Sequence, residues 1–342
     1  MKETLHQAFL GSLVADAAAM PVHWYYDVQS LDRDYPDLAV YTAPKNPHSG
    51  SILWRSSYKP RNQQADILHD QARYWGKRGV HYHQFLEAGE NTVNYRLAVE
   101  LHESILRNGG YDPTEWLQTY IKLMQTPGWH RDTYVEEYHR AFFDRLASGI
   151  APENCGIDDL HIGALATVPA LLAGLSKVES PDPERWVHIV SQHVNLTHQN
   201  AHALKASEAL AQILIDLAHG LELDSVLENR TSAWKSPKQF KAWSDFEDRT
   251  IVGRHLTPAC YLPDSFTASL FLAWKYSDDF KAGILSNALC GGDNCHRGAV
   301  VGSILGGLND IPSDWITSLK STYRISKKGN PNPVPTQPLS DS

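Results

Sequence analysis

Apolar positions along this chain recur at helical spacing far more often than in alternation. In the first stretch Leu5, Ala8, Phe9, Ser12, Leu13 and Asp16 fall three and four residues apart, the interval that puts side chains on one face of a helix. Leu97, Leu101 and Ile105 repeat that spacing in NTVNYRLAVELHESILRNGG, which ends on Gly109 and Gly110, a common helix stop. Asp112, Pro113 and Glu115 supply the N-cap, first-turn proline and third-position carboxylate of a helix start. HALKASEALAQILIDLAHG, DSFTASLFLAWKYSDD and DFKAGILSNALCGG read as helices in the same way. Only SGSILWRSS and RTIVGRHL suggest short β-ribbons. With no βαβ alternation and no GxGxxG, a nucleotide-binding parallel sheet is not expected. The pattern predicts an all-α fold.

One apolar run differs from the rest. In GGDNCHRGAVVGSILGGL, residues 291–308, Gly298, Gly302 and Gly306 recur every fourth residue. That places three glycines on one helical face and predicts a second helix packed against it at close range. Asp293, Asn294, Cys295 and His296 crowd into the turn that precedes it. A glycine pair lets backbone approach a ligand, and a helix N-terminus favours anions and hydroxyls. Asp293 or Asn294 simply capping the helix is the competing reading.

No segment divides the chain, and VESPDPERW reads as a loop with Pro183 near a helix start. One domain is expected over residues 1–322, followed by a polar, proline-rich tail over 323–342. The formal charge is −8, without a basic block, which argues against nucleic acid or an anionic membrane as partner. No apolar run reaches the length of a membrane span. The N-terminus lacks a basic region and is interrupted by Glu3, His6 and Asp16, so it does not read as a signal peptide. A cytoplasmic protein is expected. Cys155, Cys260, Cys290 and Cys295 form no CxxC pair, which favours free thiols over a structural zinc site.

The residues that invite a chemical reading are polar groups at the edges of apolar helices. Asp16 sits among alanines, and Pro21 is predicted to end that helix and turn His23 outward. Thr92 and Asn94 stand at a helix entrance, Asp159 and His161 precede another, and His198, Asn200 and His202 a third; His81 and His83 lie in GVHYHQF. The chain holds 17 histidines, and their concentration at helix starts suggests proton transfer or metal binding. No HExxH or HxxEH spacing supports a zinc hydrolase.

Taken together, four segments resemble the ADP-ribosylglycohydrolase family. GSLVADAAAMPVHW is similar to its opening G-x-x-x-G-D-x-x-G-x-P-x-E, TVNYRLAVEL to its T-D-D-T segment, and IGALATVPALLAGL to its G-A-x-M-R helix. GGDNCHRGAVVGSILGGL is similar to its G-G-D-T-D-T-x-A-x-x-x-G signature, and all four occur in the family's order. The resemblance spans residues 5 to about 310. It implies a compact, all-α, single-domain fold and hydrolysis of an ADP-ribosyl bond. The family's typical enzymes use two magnesium ions to hold ribose hydroxyls and place the attacking water; the family also has a lens-crystallin branch.

Several family positions are altered. The two aspartates of T-D-D-T fall on Val93 and Asn94, and its second threonine on Tyr95. The second aspartate and threonine of D-x-D-T fall on Cys295 and His296, the glutamate after the first helix on His23, and the arginine of G-A-x-M-R on Ala166. Thr92 and Asp293 remain. Magnesium prefers oxygen ligands, so the usual magnesium pair is doubtful, no cofactor is expected, and Asp293 is the only strong candidate for holding any metal. The replacements stay polar, which points to a remodelled pocket. Its expected chemistry is hydrolysis of a glycosidic or N-ribosyl bond in a small-molecule or ADP-ribosyl-type ligand. Asp293, His296 and His23 are the expected acid–base groups, and Asp16, Thr92, Asn94, Asp159, His161, His198 and Asn294 the expected substrate contacts. An inactive, crystallin-like binding or structural protein is the alternative. A third is an enzyme holding zinc or manganese through histidine and Asp293. The oligomeric state is not legible in the sequence.

Overall fold

The structure, a computed structural model, describes residues 1–321. The tail expected over 323–342 lies outside the described residues. Among those residues the fold is all-α, as the spacing predicts, with ten helices of ten or more residues. They are α1 (Lys2–Ala19), α2 (Val93–Asn108), α3 (Pro113–Met124), α4 (Glu137–Ala147) and α5 (Val168–Val178). There follow α6 (Pro183–Asn195), α7 (Ala201–Ala218), α8 (Asp264–Lys275), α9 (Phe280–Leu289) and α10 (Asn294–Leu308). None is long and apolar enough to cross a membrane.

The two expected ribbons do not form. Leu53–Arg55 is a single tight helical turn, and Ile251–His255 a wide one with Gly253 at φ 143°. Sheet pairing among the described residues is confined to isolated bridges, including His161 with Tyr261. Both segments are too short and too interrupted by polar residues to bury a sheet face, so packing between helices decides their shape.

Helix α10 runs through the centre, buried from Asn294 to Gly306. Its glycine face packs along α1 with backbone against backbone. A Cβ on Gly302 would stand 2.3 Å from the Gly11 carbonyl oxygen, and one on Gly306 2.5 Å from that of Gln7. Gly298 meets the Ala15 methyl, with its own Cβ position 3.1 Å away. This contact sets the separation of the two helices and fixes where the polar N-terminal turn of α10 lies against the end of α1.

Candidate active site

Helix α1 stops at Ala19, and a single turn over Met20–Val22 containing Pro21 leads to His23. The following residue, Trp24, adopts φ 60°, a left-handed conformation that costs a bulky residue roughly 1–2 kcal/mol. Trp24 N–H donates to the Gly292 carbonyl and Gly292 N–H to that of Tyr25, both at 2.8 Å. Gly291 and Gly292 themselves adopt φ 66° and 63°, and a Cβ at either would strike backbone, Tyr25 O at 2.2 Å and Pro258 O at 2.1 Å. The reciprocal pairing turns His23 into the interior, not outward as the sequence suggested, and its ring is fully buried. Trp24 stacks on that ring at 3.8 Å.

Asp293 occupies the N-cap position of α10, yet its side chain caps nothing. Oδ1 instead meets His296 Nδ1 at 2.6 Å and His23 Nε2 at 2.9 Å. Oδ2 is buried without a hydrogen-bond partner and lies 3.5 Å from His161 Nε2. A line of contacts extends behind His23. Its Nδ1 meets His83 Nε2 at 2.7 Å, and His83 Nδ1 meets Asp132 Oδ1 at 2.7 Å. On the other side His296 Nε2 faces Asn94 Nδ2 at 2.9 Å and Glu136 Oε1 at 3.5 Å. A neutral His296 accepts from the amide there; a protonated one donates to the carboxylate. Asn94 is fully committed: Nδ2 also donates to Glu136, and Oδ1 accepts from the Tyr138 hydroxyl and His139 Nε2.

Burial alone would favour neutral groups throughout, and it holds His23, His83 and His161 down at about 3. His296 is the exception. Burial would lower it too, but the Asp293 charge and hydrogen bond, with Glu136 beyond, raise it to about 9. Asp293 is correspondingly held well below the usual carboxylate range: burial pushes it up, and His296, His23 and His161 together outweigh that. An imidazolium–carboxylate pair therefore sits in the interior. Nearer the surface, burial raises the half-buried Asp159, whose Oδ1 accepts from His161 N–H at 2.9 Å. His161 Nδ1 accepts from Gly163 N–H at 2.9 Å, so its proton sits on Nε2, toward Asp293.

A strap over residues 257–262 crosses this edge. Pro258 O accepts from Asp293 N–H at 2.9 Å and Arg297 Nη1 at 3.3 Å; Cys260 O accepts from Ile162 N–H at 2.8 Å, and Leu262 N–H donates to Leu160 O at 2.9 Å. Tyr26 and Tyr261 are exposed at the rim, whereas Asp293, His23 and His296 are 0–1% exposed. Two shallow surface hollows lie elsewhere, at Glu179–Arg185 and between Asn46 and Gln84.

The ADP-ribosylglycohydrolase profile matches residues 2–329. The chain belongs to the ADP-ribosylglycohydrolase family. Crystallin J1A of Tripedalia cystophora is 24% identical over 325 residues, covering 92% of each chain. A solved structure named ADP-ribosylglycohydrolase-related protein complex superposes with a TM-score of 0.60 at 21% identity, covering 95% of this chain and 94% of that one; it carries the same fold.

Within the ADP-ribosylglycohydrolase fold, the sequence-derived residues fall into two groups. Asp293, His296, His23, Asn94 and His161 converge. Asp16 and Thr92 do not join them: Asp16 accepts from Thr92 Oγ1 at 2.9 Å, Thr92 N–H at 2.8 Å and Asn91 Nδ2 at 2.8 Å, tying α1 to the start of α2. Asn294 donates to the Val22 and Ala288 carbonyls. His198 stands behind Tyr138, ring to ring at 4.2 Å. Sequence reading passed over Asp132, Glu136 and Tyr138, all from HRDTYVEEYH; carboxylates flanked by two histidines in one short stretch were the available signal. It also missed Arg297, which is fully buried and donates to the Asn287, Gly291 and Pro258 carbonyls, clamping the glycine turn.

These residues do not fit the magnesium pair of ADP-ribosylglycohydrolases. Asp16 and Asn94 spend their oxygens on protein donors, the Thr92 hydroxyl donates to Asp16, and beside Asp293 stand imidazole nitrogens. Magnesium requires near-octahedral oxygen ligation.

Proposed function

We propose that this protein hydrolyses a glycosidic or N-ribosyl bond in a small-molecule or ADP-ribosyl-type substrate without the magnesium pair of its family. The observation that carries this reading is Asp293 Oδ2, a buried carboxylate oxygen without a partner, on an ion kept charged by the histidines around it. Leaving such an atom unsatisfied costs about 1–3 kcal/mol or more, which a bound hydroxyl or a developing oxocarbenium ion would recover. Asp159 supplies the contrasting group: a half-buried carboxyl whose pKa is raised by its surroundings. Carboxyls pushed in opposite directions suit the acid and the anion of glycosyl transfer to water. Asp159 gives its proton to the leaving group as the C–O or C–N bond breaks. Asp293 stabilises the cationic sugar, water adds to the anomeric carbon, and its released proton restores Asp159. His161 Nε2–H orients a substrate hydroxyl. His23 and His296 hold Asp293 and do not touch substrate, since their ring nitrogens all face protein groups.

A screen of glycosides and ADP-ribosyl compounds should find a substrate whose turnover falls about 10²–10⁴-fold in Asp159→Asn, the range of general acid catalysis. Unchanged turnover in Asp159→Asn would overturn this assignment. The second reading is a structural protein, favoured by the near-complete burial of Asp293 and His296 and by the likeness to Crystallin J1A. It gains if no compound in the screen binds or reacts.

A further inference from the structure

The line of contacts from Asp132 to Asp293 has a proton deficit. It contains three links, Asp132–His83, His83–His23 and His23–Asp293, at 2.7, 2.7 and 2.9 Å. Each needs one hydrogen, and two neutral imidazoles supply two. With Asp132 ionised, His83 Nδ1–H points to Asp132 and His23 Nδ1–H to His83 Nε2. The lone pair of His23 Nε2 is then aimed at Asp293 Oδ1, two acceptors facing one another. Either a third proton in the line or a cation at that link removes the conflict.

We infer that His23 Nε2, His296 Nδ1 and Asp293 form a binding site for one borderline divalent transition metal of the zinc class. The three ligand atoms already lie within 4.8 Å of one another. Two imidazoles and one carboxylate are a donor set suited to such ions and not to magnesium. The far nitrogen of His23 is backed as ligating histidines usually are: Nδ1 is held by His83 and, through it, by Asp132. His296 Nε2 faces Asn94 Nδ2 at 2.9 Å and Glu136 Oε1 at 3.5 Å. The metal takes the place of the proton that His296 Nδ1 shares with Asp293 Oδ1, and His296 keeps its other proton, directed to Glu136. The 2.6 and 2.9 Å separations then open toward the wider spacing of ligands around a common ion. Asp293 Oδ2, buried and unpartnered, stays available beside the fourth position, the pattern of zinc sites with three protein ligands.

A neighbouring group, His161, Cys260 and Asp293, is also compact. It is set apart by the Gly163 N–H···Nδ1 bond of His161, which fixes the proton on Nε2 and removes that atom as a ligand.

The inference stands apart from the hydrolase reading and is tested without activity. Tag-free protein is stripped with chelator, dialysed against zinc and then against metal-free buffer, and its metal content measured. About one zinc per chain is expected, falling at least tenfold in His23→Gln and in His296→Gln, with circular dichroism verifying that both variants fold. Asp132→Asn should weaken zinc binding about 10–100-fold, the usual effect of losing such a backing group. Should the glutamine variants unfold, cobalt substitution of the unaltered protein decides. A visible ligand-field spectrum without a thiolate charge-transfer band supports the site; a thiolate band assigns the metal to Cys260 and overturns it. Zinc below a tenth of an equivalent, or zinc retained fully in folded His23→Gln, overturns it as well. Loss of hydrolysis in Asp159→Asn with full zinc content would leave both readings standing; full hydrolysis with full zinc would sink only the acid role of Asp159.

Discussion

The two ends of α10 solve opposite packing problems. Its C-terminal half meets α1 through glycines, where nothing larger than hydrogen fits and the contact is indifferent to charge. Its N-terminal turn meets the end of α1 through Asp293, His296 and His23, where the contacts are polar and the fit depends on where protons sit. Burial is nearly total at both. The glycine end gains stability from dispersion and excluded water. The polar end carries a desolvation cost of several kcal/mol per ion that only its internal pairing offsets. The comparison teaches that one helix can be fixed in position by its insensitive end and leave the other free to change chemistry.

Acid should separate the two ends most. Eleven histidines are held below their ordinary value by the fold, against four carboxyls held above theirs. Between about pH 6.5 and 4 the unfolded chain binds histidine protons that the folded chain refuses, so stability falls as pH falls. Asp16, raised to about 7 by burial, works the other way: it loses stability as pH rises from about 4 to 7. The histidines outnumber the carboxyls, and each net proton is worth about 1.4 kcal/mol per pH unit. The expected result is cooperative unfolding before pH 4, followed by circular dichroism; a flat melting temperature from pH 7 to 4 would contradict it.

Asp293→Asn comes next. Had Asp293 been only a cap, asparagine would serve equally well. Because it is the partner of His296, removing its charge from metal-free protein should cost about 3–5 kcal/mol near pH 6. The His296 contribution is fully present below about 6.5 and lost as pH rises through about 9, so the penalty should shrink by pH 10. Equal denaturant midpoints for mutant and parent at pH 6 would restore the cap.

Gly302→Ala tests the other end. Its methyl would meet the Gly11 carbonyl at 2.3 Å, and overpacking of this kind costs about 1–3 kcal/mol, with no dependence on pH. Gly307→Ala, whose methyl meets Thr4 Cγ2 at 3.7 Å and Ala8 Cβ at 4.0 Å, both ordinary contacts, should instead stabilise by up to about 1 kcal/mol through helix propensity. The smallest expected effect is that of magnesium. A saturating ligand at 100 times its dissociation constant adds about 2.7 kcal/mol; millimolar magnesium should add nothing measurable to the melting temperature.

The glycine end was legible in the sequence because helical spacing is a local property: Gly298, Gly302 and Gly306 lie on one face wherever the partner is. The polar end was legible only in part. Asp293, His296 and Asn94 stood out as polar groups at helix starts. The inward turn of His23 depends on the left-handed backbone of Trp24 and on pairing with Gly292, contacts made across nearly the whole chain. His83 and Asp132 acquire meaning only once three separate segments meet, and spacing within one segment carries no trace of that. Asp16 and Thr92 looked like site residues and proved to be each other's partners.

The strap over residues 257–262 would set the tempo of any exchange at Asp293 that passes its edge. Four hydrogen bonds tie it to Asp293, Arg297, Ile162 and Leu160, through Pro258 O, Cys260 O and Leu262 N–H. At about 1 kcal/mol net for each, breaking these four alone costs about 4 kcal/mol, so at most roughly one molecule in a thousand would stand open. A ligand entering by that edge would bind at least about a thousandfold more weakly than its contacts alone allow, and its arrival would be paced by the opening and not by diffusion.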